Sequence, residues 1–214
     1  LLSTGLTTAN SASVFVVAQY SSLPSTNPGL VQGSPSGLGF STTSTDKVIG
    51  MWVSNTNLPW GRVVEADNNQ VNIPQVSTLS ASTFFVLSNI VSASSLNVSQ
   101  YINNVVSGSV AYDGTLRSWT DFGIGRQGAE TWFGDISEVV VDNTTLNTAQ
   151  RVIVSNYLSA KYATTLSVAN DVYTMDNGGN GNFDFEVAGI GQASDGSNHR
   201  DALGTGVVRM WNPN

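Results

Sequence analysis

Short apolar runs, separated by turn residues, recur along most of the chain. Residues 14–20 are mostly β-branched or aromatic, which predicts a central strand covered on both faces. Residues 83–88 predict a second strand of this kind. Further strands are predicted over 48–53, 62–65, 71–73, 122–125 and 131–141, with hairpins around 67–69 and within 101–112. Many short strands divided by Gly and Asn turns predict an all-β sandwich or barrel.

Two stretches depart from the strand pattern. Residues 23–39 are rich in Pro, Gly and Ser and are predicted to form loops and turns. Asn147, followed three residues later by Gln150, fits a capping box and so predicts the start of a helix. Apolar residues at helical spacing continue from there, so we predict one short α-helix near residues 148–162.

Composition narrows the classes of function. The 214 residues carry a formal net charge of −7 and only 11% charged residues. The 8 Lys and Arg residues are scattered along the sequence, which argues against a nucleic-acid partner. The absence of cysteine excludes disulfides, thiolate zinc sites and cysteine nucleophiles. No run of about 18 apolar residues occurs, so no membrane-spanning segment is expected.

The segment that closes the strand pattern resembles a known family. Residues 132–141 read WFGDISEVVV, and the predicted helix ends in YLSAKY at 157–162. This strand and helix resemble the final segment of laminin-G-like (concanavalin A-like) jelly-roll domains. Residues 15–17 and 122–126 are similar to the opening and penultimate strands of that family. The resemblance spans residues 14–162 and implies an all-β, two-sheet jelly-roll sandwich.

A second resemblance lies downstream. Residues 182–192, 195–198 and 204–208 resemble the extension that follows such domains in large surface adhesins of Gram-negative bacteria, Bacteroidota among them. The resemblance implies an extracellular, multidomain parent. Because the chain has neither an initiator methionine nor a signal peptide, we expect it to be one piece of that parent. We divide it into a jelly-roll domain over 1–163 and a C-terminal extension over 164–214 that adds strands or leads to the next domain.

The function implied by these resemblances is a non-enzymatic, extracellular adhesion module of a bacterial surface protein. Such a module binds a glycan or another cell-surface ligand, or serves as a structural unit of a stalk next to neighbouring domains. Fold alone does not decide between these roles, because specificity depends on individual sites.

The loop 176–184 is the candidate metal site. Asp and Asn oxygens alternate along this Gly-rich stretch, which would let the backbone curl around a hard cation such as calcium. The candidate ligands are Asp176, Asn180, Asn182 and Asp184. The match to an EF-type loop is incomplete, so a plain polar turn is the alternative.

Two tryptophans are candidates for glycan binding, because the apolar face of a sugar ring packs well on an indole plane. Trp60 lies between Pro59 and Gly61, and Trp119 lies between Ser118 and Thr120. Both contexts are typical of exposed loops. Packing in the core or at a sheet edge is the alternative for each.

No convincing catalytic group emerges, so we expect a non-enzymatic protein. Asp184 and Glu186 would share one strand face, as catalytic carboxylates do in some jelly-roll glucanases, but the third carboxylate of that pattern is missing. Asp135 and Glu138 are predicted to point to opposite faces. The single histidine, His199, is predicted in an exposed loop. A glycoside hydrolase or polysaccharide lyase on the same sandwich remains the alternative.

Overall fold

The computed structural model describes residues 2–3, 10–23, 27–35, 42–74, 76–127, 130–185, 187–203 and 209–211. The chain divides into two compact units. The first comprises Leu1–Ile102 and Val106–Thr145, and the second comprises Asn103–Val105 and Leu146–Asn214. The domain limits drawn from the sequence, 1–163 and 164–214, stay a prediction.

The first unit is built from two antiparallel sheets. Its strands are, in chain order, β1 Leu2–Ser3, β2 Ala12–Tyr20, β3 Gly29–Ser34, β4 Ile49–Val53, β5 Pro59–Val64, β6 Gln70–Asn72, β7 Phe85–Ser92, β8 Asn97–Ile102, β9 Val105–Ala111, β10 Asp121–Ile124, β11 Arg126–Gln127, β12 Glu130–Thr131 and β13 Gly134–Asp142. One sheet has the order β1-β10-β3-β4-β5-β6 and the other the order β13-β2-β7-β8-β9. Strands β11 and β12 form a separate hairpin, and a 3-10 turn covers Ser44–Asp46.

One hydrophobic core lies between these two sheets. Val14, Val16 and Ala18 of β2 meet Met51 and Val63 of the other sheet in this cluster, and all five are fully buried. The alternate residues of β2 are buried as well, with Phe15 and Val17 at 0% exposure. The prediction of a central strand covered on both faces is therefore confirmed. Burial of each such side chain contributes about 1.5–3 kcal/mol to folding.

The prediction of loops and turns over residues 23–39 is wrong for the middle of that stretch. There β3 pairs with both β10 and β4, and every residue from Gly29 to Ser34 is buried. Leu30 and Val31 belong to the core, while the Gln32 amide donates a 2.6 Å hydrogen bond to the Ser34 hydroxyl. Packing and satisfied polar groups thus outweigh the local turn propensity of Gly and Ser.

The second unit contains the predicted helix. Helix α1 spans Thr148–Tyr162, and Asn147 and Gln150 exchange the two hydrogen bonds of a capping box. The helix ends at Ala163, which adopts a left-handed conformation with φ 51°. The predicted start, end and cap of this helix are confirmed.

The segment 195–198 completes the cap of α1. The Asn147 amide donates a 3.0 Å hydrogen bond to the Asn198 carbonyl, and the Ala149 N–H donates one of 3.2 Å to the Ser197 hydroxyl. The Thr148 hydroxyl donates a 2.6 Å bond to Asp195. The Ala149 bond satisfies a backbone N–H that the first turn of a helix leaves without a partner, and the two side-chain bonds hold the cap in place.

The other elements described in the second unit are short. They are a 3-10 turn over Gly178–Asn180 and the strands β14 Gly191–Gln192, β15 Asn198–His199, β16 Asp201–Leu203 and β17 Arg209–Trp211. These strands form two two-stranded ribbons, β14 with β15 and β16 with β17. In the parts of the chain described above, no helix has the length and apolar character needed to cross a membrane.

Candidate functional site

Strands β4 and β5 place aromatic and basic side chains on the outer face of the six-stranded sheet. Their register pairs Trp52 with Trp60 and Gly50 with Arg62. Because side chains alternate along a strand and Met51 and Val63 point into the core, these four residues face the other way. The two indole ring centroids are 5.1 Å apart, with a tilt of 51°.

Glycine at position 50 allows the Trp52 ring to lie down on the sheet. A Cβ atom at Gly50 would come within 2.7 Å of Trp52 Cζ3. The Arg62 guanidinium stacks on this ring, with Cζ 5.4 Å from its centroid. The Arg62 Nε–H also donates a 2.8 Å hydrogen bond to Asn72 Oδ1, so both contacts fix the plane of the guanidinium.

Solvent reaches only part of this cluster. Trp52 is 2% exposed, so it supports the side chains of Trp60 and Arg62 but is itself out of reach of a ligand. Trp60 and Arg62 are partly exposed and are the side chains that a ligand can touch. The Trp60 indole N–H is buried and has no acceptor among the described residues. We call Trp52, Trp60, Arg62, Asn72 and the nearby Lys47 the tryptophan surface.

Two of the basic residues that are scattered in the sequence come together on the tryptophan surface. Burial lowers the pKa of Lys47, the charge of Glu130 raises it, and the charge of nearby Arg62 lowers it. Burial also lowers the pKa of Arg62. Neither cation forms an ion pair with a carboxylate in the described ranges. Sequence reasoning missed Lys47 and Arg62, because they approach each other only when β5 folds back beside β4 and the segment that precedes it.

The other candidate tryptophan belongs to the core. Trp119 is 3% exposed, packs at 6.0 Å from the Phe122 ring and lies against Gly33, where a Cβ atom would meet Trp119 Cε3 at 3.0 Å. The structure therefore places Trp119 where no sugar can reach it, and core packing is the interpretation that holds. Its loop-like neighbours in sequence conceal this burial, because the residue sits just before β10.

Three of the four candidate metal ligands line one pocket. Asp176, Asn182 and Asp184 surround a cavity of about 280 Å³, together with Asp171 and Thr164. The fourth candidate, Asn180, does not line it, and its amide donates a 2.8 Å hydrogen bond to the Thr174 carbonyl. We call Asp171, Asp176, Asn182 and Asp184 the acidic pocket. Asp171 was missed because it precedes the Gly-rich loop by several residues.

The carboxylates of the acidic pocket repel one another. Burial raises the pKa of Asp176, and the charges of Asp171 and Asp184 raise it further. The Asn182 amide donates a 3.1 Å hydrogen bond to Asp184. The oxygen donors are of the type that calcium prefers. However, no three His, Asp or Glu side chains of the described residues are arranged closely enough to hold a metal ion.

Of the remaining acidic candidates for catalysis, one lies outside the described residues and two are arranged differently from the prediction. Glu186 lies outside the described residues, so its pairing with Asp184 is not tested. Asp135 opposes Gln19 and Glu138 opposes Val17, because a bulge between Ile136 and Glu138 shifts the register. The two acids therefore share one face, and the prediction of opposite faces is wrong.

The contacts of Asp135 and His199 bear on the same question of catalysis. Asp135 is exposed and accepts a 2.7 Å hydrogen bond from the Gln19 amide, as expected of a surface acid. His199 is half-buried in β15, opposite Gly191, and does not lie in the exposed loop that was predicted. Neither contact resembles a nucleophile and its base.

Comparison with known proteins gives structural neighbours only. No family model and no curated protein matches the chain. A SAP-like pentraxin from Limulus polyphemus superposes with a TM-score of 0.50 at 14% identity, covering 75% of this chain and 76% of its own. The CBM40 of Ruminococcus gnavus IT-sialidase, bound to α2,3-sialyllactose, gives a TM-score of 0.52 at 9% identity, covering 69% and 86%.

A third similar structure is the receptor binding domain of botulinum neurotoxin type G. Its TM-score is 0.53 at 11% identity, and the superposition covers 71% of this chain and 39% of that one. At such identities the likeness concerns the fold alone. The chain has an all-β fold, a two-sheet jelly-roll sandwich of the concanavalin A-like type, and its described residues include one short α-helix.

Proposed function

We propose that the chain is a non-enzymatic glycan-binding module from the extracellular part of a bacterial surface adhesin. The observation that carries the proposal is the tryptophan surface, where partly exposed Trp60 lies beside Arg62, which has no ion pair among the described carboxylates. The CBM40 neighbour, whose structure holds α2,3-sialyllactose, supports a sugar as the ligand.

The chemistry of the tryptophan surface suits a sugar. A pyranose has an apolar C–H face, which packs on an indole plane, and a polar rim, which needs hydrogen-bonding groups beside that plane. Arg62 and Asn72 supply hydrogen-bonding groups next to Trp60. The contact between Trp52 and Trp60 fixes the ring in advance, which reduces the entropy that binding would otherwise cost.

A glycan array probed with the labelled chain tests this proposal. We expect signal on a defined group of glycans, and Trp60→Ala should weaken the affinity at least about ten-fold because a central aromatic contact is lost. Phe133→Ala is the matched control, since Phe133 is 53% exposed and lies outside the tryptophan surface. An array without signal, or a Trp60→Ala variant that binds as tightly as the parent chain, would leave a structural stalk unit as the function.

We also propose that calcium binds at the acidic pocket. Asp171, Asp176 and Asp184 have no ion pair with a described basic residue, and a cation would relieve the repulsion that raises the pKa of Asp176. Small shifts of exposed side chains would be needed to close the coordination shell, because flexible oxygen ligands surround calcium at 2.3–2.6 Å in known sites.

A glycoside hydrolase or polysaccharide lyase is the second candidate. The raised pKa of Asp176, next to Asp184 in one cavity, is a feature that catalytic acids share. Release of reducing sugar, or of unsaturated product, from a polysaccharide panel would favour this function if Asp176→Asn and Asp184→Asn abolished it. A parent chain that releases nothing would favour the binding module.

A further inference from the structure

An acidic protein holds two neighbouring cations on its candidate ligand surface. The chain has 15 Asp and Glu residues against 8 Lys and Arg. Yet Lys47 and Arg62 lie close enough for the charge of Arg62 to act on Lys47. Glu130 is the one described carboxylate whose charge acts on Lys47, and it forms no ion pair with either cation.

The guanidinium of Arg62 is held ready for a ligand. Its Nε–H is occupied by Asn72, and its face is occupied by the Trp52 ring. The two terminal Nη groups make no hydrogen bond to another described residue. These groups form a planar fork of donors that matches an oxyanion in two parallel hydrogen bonds.

We propose that the glycan bound at the tryptophan surface carries an oxyanion, either a carboxylate or a sulfate ester, which Arg62 binds while the sugar ring packs on Trp60. Lys47, whose pKa the charge of Arg62 lowers, adds a second positive charge nearby. This inference rests on the proposed function and names the chemical class of its ligand. It does not follow from the fold, because only the side chains at positions 47, 60 and 62 carry it.

The cost of removing the Arg62 cation from water favours the same conclusion. A half-buried cation without a counter-charge is costly, and a bound oxyanion offsets that cost without requiring Arg62 to move. The indole contact then selects a sugar over a free inorganic anion, because an anion alone buries no apolar surface on Trp60. A neutral sugar would leave the guanidinium unpaired.

Calorimetric titration with 3′-sialyllactose and with lactose tests the proposal, since the two ligands differ by one acidic sugar. A glucuronate-containing disaccharide and a sulfated disaccharide form two further arms, which separate carboxylate from sulfate recognition. We expect binding of at least one anionic ligand about ten-fold or more tighter than that of lactose. The preference should weaken as the salt concentration rises, because the contact is charge-assisted.

Variants assign the preference to its residues. Arg62→Gln should remove it, Arg62→Lys should restore only part of it, and Lys47→Gln should weaken it by a smaller factor. Arg200→Gln, which makes the same charge change at an exposed residue outside the tryptophan surface, should leave it unchanged. Melting curves show whether each variant is folded.

The outcomes separate this inference from the proposed function. Equal affinity for lactose and for all anionic ligands, with Trp60→Ala still weakening binding, overturns the inference and leaves a neutral-glycan module. A preference for anions that Arg62→Gln does not change also overturns it. No binding to any glycan, neutral or anionic, overturns the inference together with the proposed function.

Discussion

Glu65 accepts a 2.6 Å hydrogen bond from the backbone N–H of Gly114, although the two residues lie 49 positions apart in sequence. The same carboxylate oxygen accepts a 2.8 Å bond from the Asp113 N–H, and the other oxygen accepts one from the Asn69 amide. Glu65 is 1% exposed. A single buried carboxylate therefore ties the β5–β6 turn to the segment that follows β9.

Removal of this carboxylate should destabilise the first unit. We expect Glu65→Ala to lower the free energy of unfolding by about 3 kcal/mol, because it leaves buried N–H groups without acceptors. Urea denaturation measures the effect. Asp67→Asn is the control in the same turn: Asp67 is exposed, and asparagine can still accept the Asn69 N–H. Equal midpoints for both variants would contradict a structural role for Glu65.

The same residue predicts a pH dependence. Burial alone would raise the pKa of Glu65, but the hydrogen bonds from Asn69, Asp113 and Gly114 outweigh it and lower the pKa below its usual value of 4.5. The stabilisation is therefore complete above that value and is lost as the pH falls through the lower pKa of the folded state. In Glu65→Gln, we expect stability to decline less steeply with acidification below pH 4.5. Parallel stability curves for both proteins would contradict this linkage.

Helix α1 should depend on its cap. We expect Asn147→Ala to lower the free energy of unfolding by about 1 kcal/mol, because the Gln150 N–H and the Asn198 carbonyl each lose a partner. Far-ultraviolet circular dichroism during urea denaturation measures this loss. Asn143→Ala changes an exposed asparagine in the preceding turn and should have little effect. A comparable loss in both variants would place the effect outside the cap.

Calcium should raise the melting temperature of the chain if it binds at the acidic pocket. A ligand specific for the folded state adds about 2.7 kcal/mol at a hundred-fold excess over its dissociation constant. Melting curves with calcium and with a chelator measure the shift. Coincident curves would leave residues 176–184 as a polar turn.

Variants of the acidic pocket sharpen that experiment. Asp171→Asn, Asp176→Asn and Asp184→Asn should each reduce the calcium-dependent shift. Asn180→Ala should retain it, because Asn180 does not line the cavity. Asp67→Asn removes an exposed carboxylate of the first unit and serves as the charge-matched control. A shift that Asn180→Ala, Asp176→Asn and Asp184→Asn all abolish, but Asp171→Asn leaves unchanged, would restore the ligand set expected from the sequence.

The sequence predicted those elements whose conformation depends on residues that are close together in the chain. Helix α1 was predicted to the residue, because its start depends on a capping box and its spacing on one apolar pattern. Strand β3 was missed, since its Gly and Ser residues are typical of turns and only its pairing with β4 and β10 makes it a strand. The bulge before Glu138 was missed for the same reason, because register belongs to the pair of strands.

The candidate site likewise contains residues that the sequence indicated and residues that only the fold brings together. The sequence indicated Trp60, whose exposure follows from its place in β5, but it could not separate Trp60 from buried Trp119. Lys47 and Arg62 are 15 positions apart and look unrelated until the strands pair. Asp171 joins the acidic pocket through the course of the chain after α1, which no spacing rule specifies.

The position of the segment 195–198 has a consequence for the order in which the second unit folds. Three residues at the start of α1 find partners 47 to 51 positions later. While the chain is being synthesised, the helix can form its own turns but lacks these partners until residue 198 has emerged. The entropy of closing so long a loop must be met before the first turn is held in place. Secretion or cleavage that separates residues 195–198 from the helix would leave α1 fraying from its N-terminal end.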